Sequence, residues 1–466
     1  MVHGKSYFFI GIGGSGMMPL AMILAGRGAR VAGSDRSLDQ ARLSAKFEAL
    51  RALGITLFPQ DGSGITSAEQ IVVASAAIEP GVPDMVAAER VGAARLSRAE
   101  LLASLFNASP LSIGVAGTSG KSTVTGMIGW IMAQARRDPT VMNGAVMKNF
   151  ASADAAFASA LVGANGVFVS EVDESDGSIA LYSPTIAVLN NVSLDHKSLE
   201  ELRALFGDFA GKAATAVVNI GDAEAAALAA TLDRERLVTF AVEARADLMA
   251  QNLAPEPFSI GFDLVAGAQR HRVHLCVPGR HNVANALAAM GAAVAAGVPL
   301  AEAVCAVEGF TGLKRRFDLV GTAAGVSVID DFGHNPDKIA ATLDTLHAFA
   351  GRLLVLFQPH GYGPLKVMRA ELVECLAQRM APGDVLVLPD PVYQGGTVAR
   401  EVTSADIVAD LVRRGVDARH IAARDEAAYA LLDLARPGDR IVIMGARDDT
   451  LSQLAADMVA ALSKHG

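Results

Sequence analysis

The stretch LSIGVAGTSGKST, Leu111 to Thr123, passes from an apolar run through glycines into a lysine and two hydroxylic residues. An apolar run closed by glycine reads as a buried strand, and the residues that follow open a helix. The expectation is a strand at Leu111 to Ala116, a glycine loop, and a helix from Ser122 to Ala135. Gly117-Thr118-Ser119-Gly120-Lys121-Ser122-Thr123 has the chemistry of a phosphate-binding loop. Backbone N–H groups cradle phosphate, Lys121 can reach the β- and γ-phosphates, and the Ser122 hydroxyl can bind Mg²⁺. The common spacing needs a glycine at 115, but Val115 stands there and Gly114 sits one residue early. Gly117 gives the shorter G-T-x-G-K-S/T spacing instead.

Upstream, Tyr7 to Ile12 is apolar and runs into Gly11-Ile12-Gly13-Gly14-Ser15-Gly16, a GxGxxG loop. A helix at Met17 to Ala25 and a strand at Arg30 to Ala32 follow, with Asp35 at the strand's end. Asp35 lies about 20 residues past the loop, as in a dinucleotide-binding unit. On its own this loop fits a plain strand-to-helix turn, a dehydrogenase site, or a site for another nucleotide's pyrophosphate. Ile71 to Ser75 reads as a further strand, Arg98 to Phe106 as a helix, and Pro110 as a linker.

Downstream, strands are expected at Gly166 to Ser170, Ile186 to Asn191 and Gln269 to Val277, with a helix at Asn282 to Ala296. A last series of strands falls at Ser327 to Ile329, Arg352 to Phe357, Asp384 to Leu388 and Arg440 to Met444. Strands alternating with helices imply parallel sheets covered on both faces, an α/β fold. A chain of 466 residues suits about three domains at roughly 100–200 residues each.

Hydrophobic residues make up 51% of the chain, ample for cores, and the formal net charge is -9. With no basic face or tail, nucleic acid is not expected as a partner. Phosphate ligands remain compatible, because local N–H groups and one or two cations bind them. The cysteines Cys276, Cys305 and Cys375 are far apart, with no CxxC. They read as small buried hydrophobes in a reducing, cytoplasmic setting. The first residues run into glycine rather than a leader's apolar region, and no uninterrupted apolar window reaches ~18 residues, so no membrane segment is expected.

Glu171, Asp173, Glu174 and Asp176 follow the strand at Gly166 to Ser170. Acids at the carboxyl end of a strand are where a phosphate-loop enzyme holds Mg²⁺, although such a cluster also suits a solvated turn. Asp195-His196 lies past the strand at Ile186 to Asn191, a second candidate position for a metal ligand.

With these residues in view, the chain resembles the Mur ligase family. The resemblance runs in order through GIGGSGM at Gly11, GSD at Gly33, RAELL at Arg98, GTSGKST at Gly117 and EVDESDGS at Glu171. It continues through NNVSLDH at Asn190, PGRHNVANALAA at Pro278, LKRRFD at Leu313, DDFGHNPDKI at Asp330 and FQPHGY at Phe357. The resemblance implies a Rossmann-like, UDP-substrate-binding domain over 1–108. It further implies an ATP-binding, P-loop ATPase-type central domain over 109–314 and a Rossmann-like C-terminal domain over 315–466.

By the same resemblance the chain is an ATP- and Mg²⁺-dependent ligase of peptidoglycan precursor synthesis, cytoplasmic, monomeric or homodimeric. It activates a UDP-sugar carboxylate of the UDP-N-acetylmuramate type as an acyl phosphate and joins it to an amino acid, L-alanine in the branch it most resembles. Lys121 grips the phosphates, Ser122 and Glu171 hold one Mg²⁺, and His196 holds a second. Gly117, Thr118, Ser119, Gly120, Thr123, Asn191, His281, Asn282 and Asn285 line the ATP site. Arg316 and Asp331 reach the nucleotide from beyond a hinge at Gly309 to Leu313, with Lys121, His196 and Arg316 as the catalytic set. Gly11, Gly13, Gly16 and Asp35 sit at the UDP end, and Asp176 and His334 complete the substrate contacts.

The chain departs from the alanine-adding branch at several points. Ser119 replaces a usual histidine, and Lys197-Ser198-Leu199-Glu200 lacks the usual Asp-Tyr-Gly character. Gly361, Gly363 and Pro364 replace an arginine and a following Ser-Arg, leaving Lys366 or Arg369 to neutralise an amino-acid carboxylate. GHNPD at Gly333 is closer to other Mur-like ligases. These departures keep open a Mur-type ligase for another acceptor or amino acid, in peptide recycling or specialised metabolism. The first glycine loop alone also admits an NAD-dependent oxidoreductase or a non-catalytic nucleotide-binding subunit.

Overall fold

The computed structural model describes residues 2–75, 78–152, 155–193, 197–392, 401–446 and 448–465, and among these the strands form three sheets. The first contains β1 (Ser6–Ile10), β2 (Arg30–Ser34), β3 (Thr56–Phe58), β4 (Gln70–Ala74) and β5 (Ala94–Ser97). Its order is β3-β2-β1-β4-β5, parallel throughout. Tyr7, Phe8, Phe9 and Ile10 are all buried, so β1 can sit only at the centre, with helices covering both faces.

The second sheet contains β6 (Leu111–Ala116), β7 (Thr140–Met142), β8 (Ala160–Leu161), β9 (Val167–Glu171) and β10 (Ile186–Leu189). It continues with β11 (Thr215–Asn219), β12 (Leu237–Val242), β13 (Leu248–Pro255), β14 (Ile260–Ala266) and β15 (Gln269–Leu275). The order is β15-β14-β13-β12-β11-β10-β6-β9-β7-β8. β6 runs parallel between β10 and β9, so the loops leaving all three emerge at one edge. Ligands of open α/β sheets bind at such carboxyl edges. The sequence reading placed β6, β9, β10 and β15 but named no strand for β11 to β14.

By compactness the chain divides into two units, Met1–Ala254 with Ile260–Cys276 and Arg280–Gly312, and Pro255–Ser259 with Val277–Gly279 and Leu313–Gly466. The first two sheets share the first unit, and one apolar core spans both. That core runs from Phe9, Leu24 and Leu102 through Phe106 to Phe168, Tyr182 and Phe209. Phe106 packs edge-on against both Phe168 and Tyr182. Arg27, after the helix Met17–Gly26, lies over the Phe168 ring and donates to Thr140 Oγ1 at 3.1 Å.

The second unit holds β16 (Asp318–Ala323), β17 (Val326–Asp331), β18 (Leu353–Phe357), β19 (Val385–Leu388), β20 (Ala418–His420) and β21 (Arg440–Met444). Their order is β16-β17-β21-β18-β19-β20, parallel except for the β16–β17 pair. Alternate residues of β18 and β21 feed different cores. Val355 and Val442 face one helical layer, while Leu354, Leu356, Ile441 and Ile443 face the other.

Cys375 is buried, but Cys276 and Cys305 are exposed, so the expectation of three buried thiols holds for only one. Cys276 lies just beyond the end of β15, where the chain leaves the sheet. Among the described residues no helix is long and apolar enough to cross a membrane.

Candidate active site

The loop after β6 is shaped by two glycines and two asparagines. Gly117 has φ +132°, and a Cβ there would lie 3.0 Å from the Asn191 carbonyl oxygen. Gly120 has φ +84°, and its Cβ would lie 2.5 Å from Asn190 Nδ2 and 2.6 Å from Asn285 Oδ1. Only glycine gives both the positive φ and the clearance. Asn191 Oδ1 accepts from the Ser119 N–H at 2.8 Å, and Asn191 Nδ2 and Asn190 Nδ2 both donate to the Ser119 carbonyl. Thr118 Oγ1 donates to the Ser193 carbonyl at 3.1 Å and accepts from its N–H at 3.0 Å.

Asn190 Nδ2 also donates to Asn285 Oδ1 at 2.9 Å, and Asn285 Nδ2 to Asn282 Oδ1 at 3.0 Å. This chain of amides joins the helix Arg280–Ala295 to the loop. Asn282 and Asn285 are buried, whereas His281 is exposed on the first turn of the same helix. Asn190, which the sequence reading did not single out, is thus as central as Asn191. Its only signal was the doubled Asn-Asn at the end of a strand.

The helix Lys121–Gln134 starts one residue earlier than expected, with its first-turn N–H groups at the loop. Helix N-termini favour anions. Thr123 is half-buried on the same turn. Lys121 Nζ lies 2.7 Å from Glu174 Oε2 and donates to the Gly117 carbonyl at 2.7 Å. Ser122 Oγ donates to Glu171 Oε2 at 2.8 Å. A Cβ on Gly144 would lie 2.4 Å from Glu171 Oε1, so that glycine makes room for the carboxylate. Asn143 Nδ2 donates to the Ser122 carbonyl at 2.9 Å and fixes the helix start.

Beyond Glu171, the Asp173 carboxyl is pushed up by burial, but the Ser175 N–H, Lys121 and Arg98 outweigh this and hold it below the usual range. Asp176 accepts from the Ser178 N–H and lies 3.8 Å from Arg98 Nη2. His196, expected as a metal ligand, lies outside the described residues.

The first glycine loop is braced from below. Gly11 takes φ +76°, and a Cβ on Gly13 would lie 2.9 Å from Asp35 Oδ2 and 3.1 Å from the Phe47 ring. Asp35 Oδ2 accepts from the Gly13 N–H at 2.8 Å, and Oδ1 accepts from the Ser37 N–H at 2.8 Å. Asp35 therefore caps the short helix Arg36–Asp39 and supports the loop. A Cβ on Gly16 would meet Arg98 Cδ at 3.1 Å, so the Arg98 side chain passes over the third glycine.

In the second unit, Asp331 Oδ2 accepts from the Phe317 N–H at 2.8 Å and Oδ1 from the Gly333 N–H at 2.7 Å. Its oxygens thereby shape the turn 315–317, where Arg315 and Phe317 have φ of +61° and +48°. The Arg316 guanidinium carbon lies 4.1 Å from the Phe332 ring centroid. His334 Nδ1 is 2.9 Å from the Phe332 carbonyl, and its ring stands edge-on to His360 at 5.3 Å. Burial pushes His334 down to about 3, with the positive charges of Lys338, His360 and Arg316 adding to the effect. The imidazole is neutral at ordinary pH, with Nδ1–H donating to the carbonyl and the Nε2 lone pair available.

Past Phe357-Gln358-Pro359-His360, Gly361 takes φ +128°, and a Cβ there would meet only Pro364 Cδ, at 3.7 Å. Lys366 pairs with Glu401, and Arg369 with Asp410 at 2.8 Å. Both cations expected to replace the missing arginine already have carboxylate partners.

Three α/β sheets, the second carrying a phosphate loop, define a nucleotide-binding protein of the phosphate-loop type. Models of Mur ligase domains match along the chain: the Mur ligase family catalytic domain over residues 6–110, the middle domain over 115–293, and the glutamate ligase domain over 315–447. The chain is 37% identical over 458 residues to the UDP-N-acetylmuramate–L-alanine ligase of Streptomyces coelicolor, covering 95% of each chain. It is 36% identical over 468 residues to the ligase of the same name from Cereibacter sphaeroides, covering 97% and 96%. It superposes on the UDP-N-acetylmuramate–alanine ligase of Thermotoga maritima with a TM-score of 0.79 at 25% identity, over 99% and 100% of the chains. A murein peptide ligase of Psychrobacter arcticus shares the fold, with a TM-score of 0.72 at 23% identity and 99% of each chain covered. The chain belongs to the Mur ligase family and is an ATP-dependent, ADP-forming ligase.

Proposed function

We propose that the chain joins L-alanine to the carboxylate of UDP-N-acetylmuramate while ATP is cleaved to ADP and phosphate. The observation that carries this reading is the collinear similarity to ligases of that specificity over 95% of both chains. A carboxylate resists attack by an amine, so it is first made an acyl phosphate. The carboxylate oxygen bonds to the γ-phosphorus as the bond to ADP breaks. The amine nitrogen then attacks the carbonyl carbon, a proton leaves, and phosphate departs as the amide forms. Charge on the transferring oxygens must be met by fixed cations and N–H donors.

Lys121 supplies such a cation, and Gly117, Thr118, Ser119, Gly120, Ser122 and Thr123 the loop around the phosphates. The oxygens of Ser122 and Glu171, 2.8 Å apart at the strand edge, form the hard donor set that suits Mg²⁺. Ser122 and Glu171 would hold one such ion, with His196 assigned to a second by family resemblance. When bound, Mg²⁺ neutralises phosphate charge and orients the oxygens. Asn191, His281, Asn282 and Asn285 are assigned to the nucleotide, and the family resemblance assigns Arg316 and Asp331 to it as well. Gly11, Gly13, Gly16 and Asp35 are assigned to the UDP-sugar, Asp176 to the same subsite through Arg98, and His334 to the substrates. The reaction is placed in the cytoplasm, in a monomer or homodimer.

A second reading, a Mur-type ligase with another amine, is favoured by the glycine at 361 and the paired state of Lys366 and Arg369. Phosphate release with ATP and Mg²⁺ against panels of UDP-sugars and amino acids tests both. Release that depends on UDP-N-acetylmuramate and L-alanine supports the first. Release with another pair supports the second, and release with none refutes both.

A further inference from the structure

One short acidic turn touches the cations of both glycine loops. On one side, Lys121 Nζ lies 2.7 Å from Glu174, whose side chain is 6% exposed against 18% for the lysine. On the other, Asp176 lies 3.8 Å from the Arg98 guanidinium, which passes over Gly16 of the first loop. This ion pair is longer than the one at Lys121 and nearer to water, with the Arg98 side chain 23% exposed and that of Asp176 37%. The turn is compact. The Ser175 N–H donates to Asp173 Oδ1 at 3.0 Å, the Ser178 N–H to Asp176 Oδ1 at 2.9 Å, and Gly177 closes it at φ +78°.

We propose that the turn 173–176 couples the two anionic subsites: Glu174 holds Lys121 and Asp176 holds Arg98 until phosphates take the carboxylates' places. This rests on the ligase reading given above. A triphosphate brought to Lys121 meets a buried carboxylate of the same sign, and Glu174 must yield the ammonium. Glu174 and Asp176 are two residues apart in one hydrogen-bonded turn, so the movement that frees Lys121 also draws Asp176 from Arg98. The freed guanidinium, a planar fork of donors, is then available to the pyrophosphate of the UDP-sugar. Linkage makes the effect reciprocal: whatever factor the nucleotide adds to UDP-sugar affinity, the UDP-sugar adds to nucleotide affinity. Glu174 and Asp176 are positioning residues here, because they act through Lys121 and Arg98.

Calorimetry on the full chain, with the non-hydrolysable analogue AMP-PNP, Mg²⁺ and UDP-N-acetylmuramate, tests this without turnover. In the wild type, saturating UDP-N-acetylmuramate should tighten AMP-PNP binding by roughly 5-fold or more. Glu174→Gln should bind AMP-PNP several-fold tighter alone and lose most of the coupling. Asp176→Asn should do the same for the UDP-sugar. If Glu174→Gln proves unfolded by its melting curve, Glu174→Asp, with a shorter reach to Lys121, should shift nucleotide affinity in the same direction. Weaker AMP-PNP binding by the Glu174 variants, as expected of a metal ligand, overturns the proposal. Unchanged coupling in both variants overturns it too. No binding of UDP-N-acetylmuramate by the wild type refutes the substrate assignment, while the AMP-PNP affinity of Glu174→Gln alone still decides the role of Glu174.

Discussion

Lys121 Nζ and Glu174 Oε2 meet at 2.7 Å, with Glu174 almost wholly removed from water. The lysine of the phosphate loop is therefore half of a buried ion pair as well as a ligand for phosphate. Removing one partner of such a pair strands the other's charge.

Lys121→Ala should lose phosphate release by at least about 10²–10³-fold, the scale for removing one aimed donor or cation. It should also lose stability, roughly 3 kcal/mol, the low end for breaking a buried pair. The double variant Lys121→Ala/Glu174→Gln should regain the melting temperature but not the activity. Near-normal turnover by folded Lys121→Ala would refute the assigned role. A double variant no more stable than the single one would show that Glu174 pays no penalty when left alone.

Ser122→Ala and Glu171→Ala should each shift the Mg²⁺ concentration for half-maximal phosphate release upward by about 10-fold or more, the scale expected when a metal site loses support. His196→Ala should do likewise. Mg²⁺ titrations that overlay the wild type for all three would leave these residues without a role in holding the metal.

Asp35→Ala leaves the N–H groups of Gly13 and Ser37 without their side-chain acceptor, at a cost of about 1–3 kcal/mol. The melting temperature should fall, and the Michaelis constant for the UDP-sugar should rise more than that for ATP. NAD(H) should not compete with UDP-N-acetylmuramate. Competitive binding of NAD(H), with no UDP-sugar binding, would favour a dehydrogenase.

His334 is pushed down to about 3, chiefly by burial. The unfolded imidazole titrates near 6.5, so between these values the unfolded chain binds the extra proton. The stabilising contribution is therefore complete above about pH 6.5 and is lost as the pH falls toward 3. His334→Gln should flatten the fall in melting temperature across that window. In an NMR titration the His334 ring should stay neutral at pH 5. A midpoint near 6.5 would contradict the environment described.

Gly361, at positive φ, puts no side chain of its own toward an amino-acid carboxylate. Lys366 and Arg369 pair with Glu401 and Asp410 instead. Amino-acid preference should accordingly be broader than strict L-alanine use, and Lys366→Ala and Arg369→Ala should change the Michaelis constants for amino acids less than twofold. A panel of L- and D-amino acids and simple amines, under saturating UDP-sugar, reads this out. Sharp selectivity for L-alanine would show that a different cation serves the carboxylate.

Much of this was legible in the sequence, for a physical reason. A strand, a glycine turn and a helix are contiguous, so the loops at Gly11 and Gly117 carry their geometry in local spacing. β11 to β14 were harder to see. β13 mixes Leu248 and Ala250 with exposed Asn252 and Pro255, and its identity depends on neighbours in the sheet. The roles of Arg98, Glu174 and Asn190 were not legible, because each contact joins segments far apart in the chain. Lys121 and Glu174 are separated by 53 positions, and Asn190 and Asn285 by 95. An acidic run after a strand announces itself, but which acid faces which cation is settled only by folding.

The apolar core shared by the first two sheets has a consequence for how the chain comes apart. Phe106 belongs to the helix that ends the first sheet's segment, yet it packs on Phe168 and Tyr182 of the next. Arg27 crosses the same boundary to Phe168. The break near Pro110 is thus a boundary of sequence modules and not of cooperativity. In a calorimetric scan the region through Gly312 should melt in one transition. A fragment starting at Leu111 should refold poorly and aggregate, because it carries a greasy face that the missing sheet was built to cover.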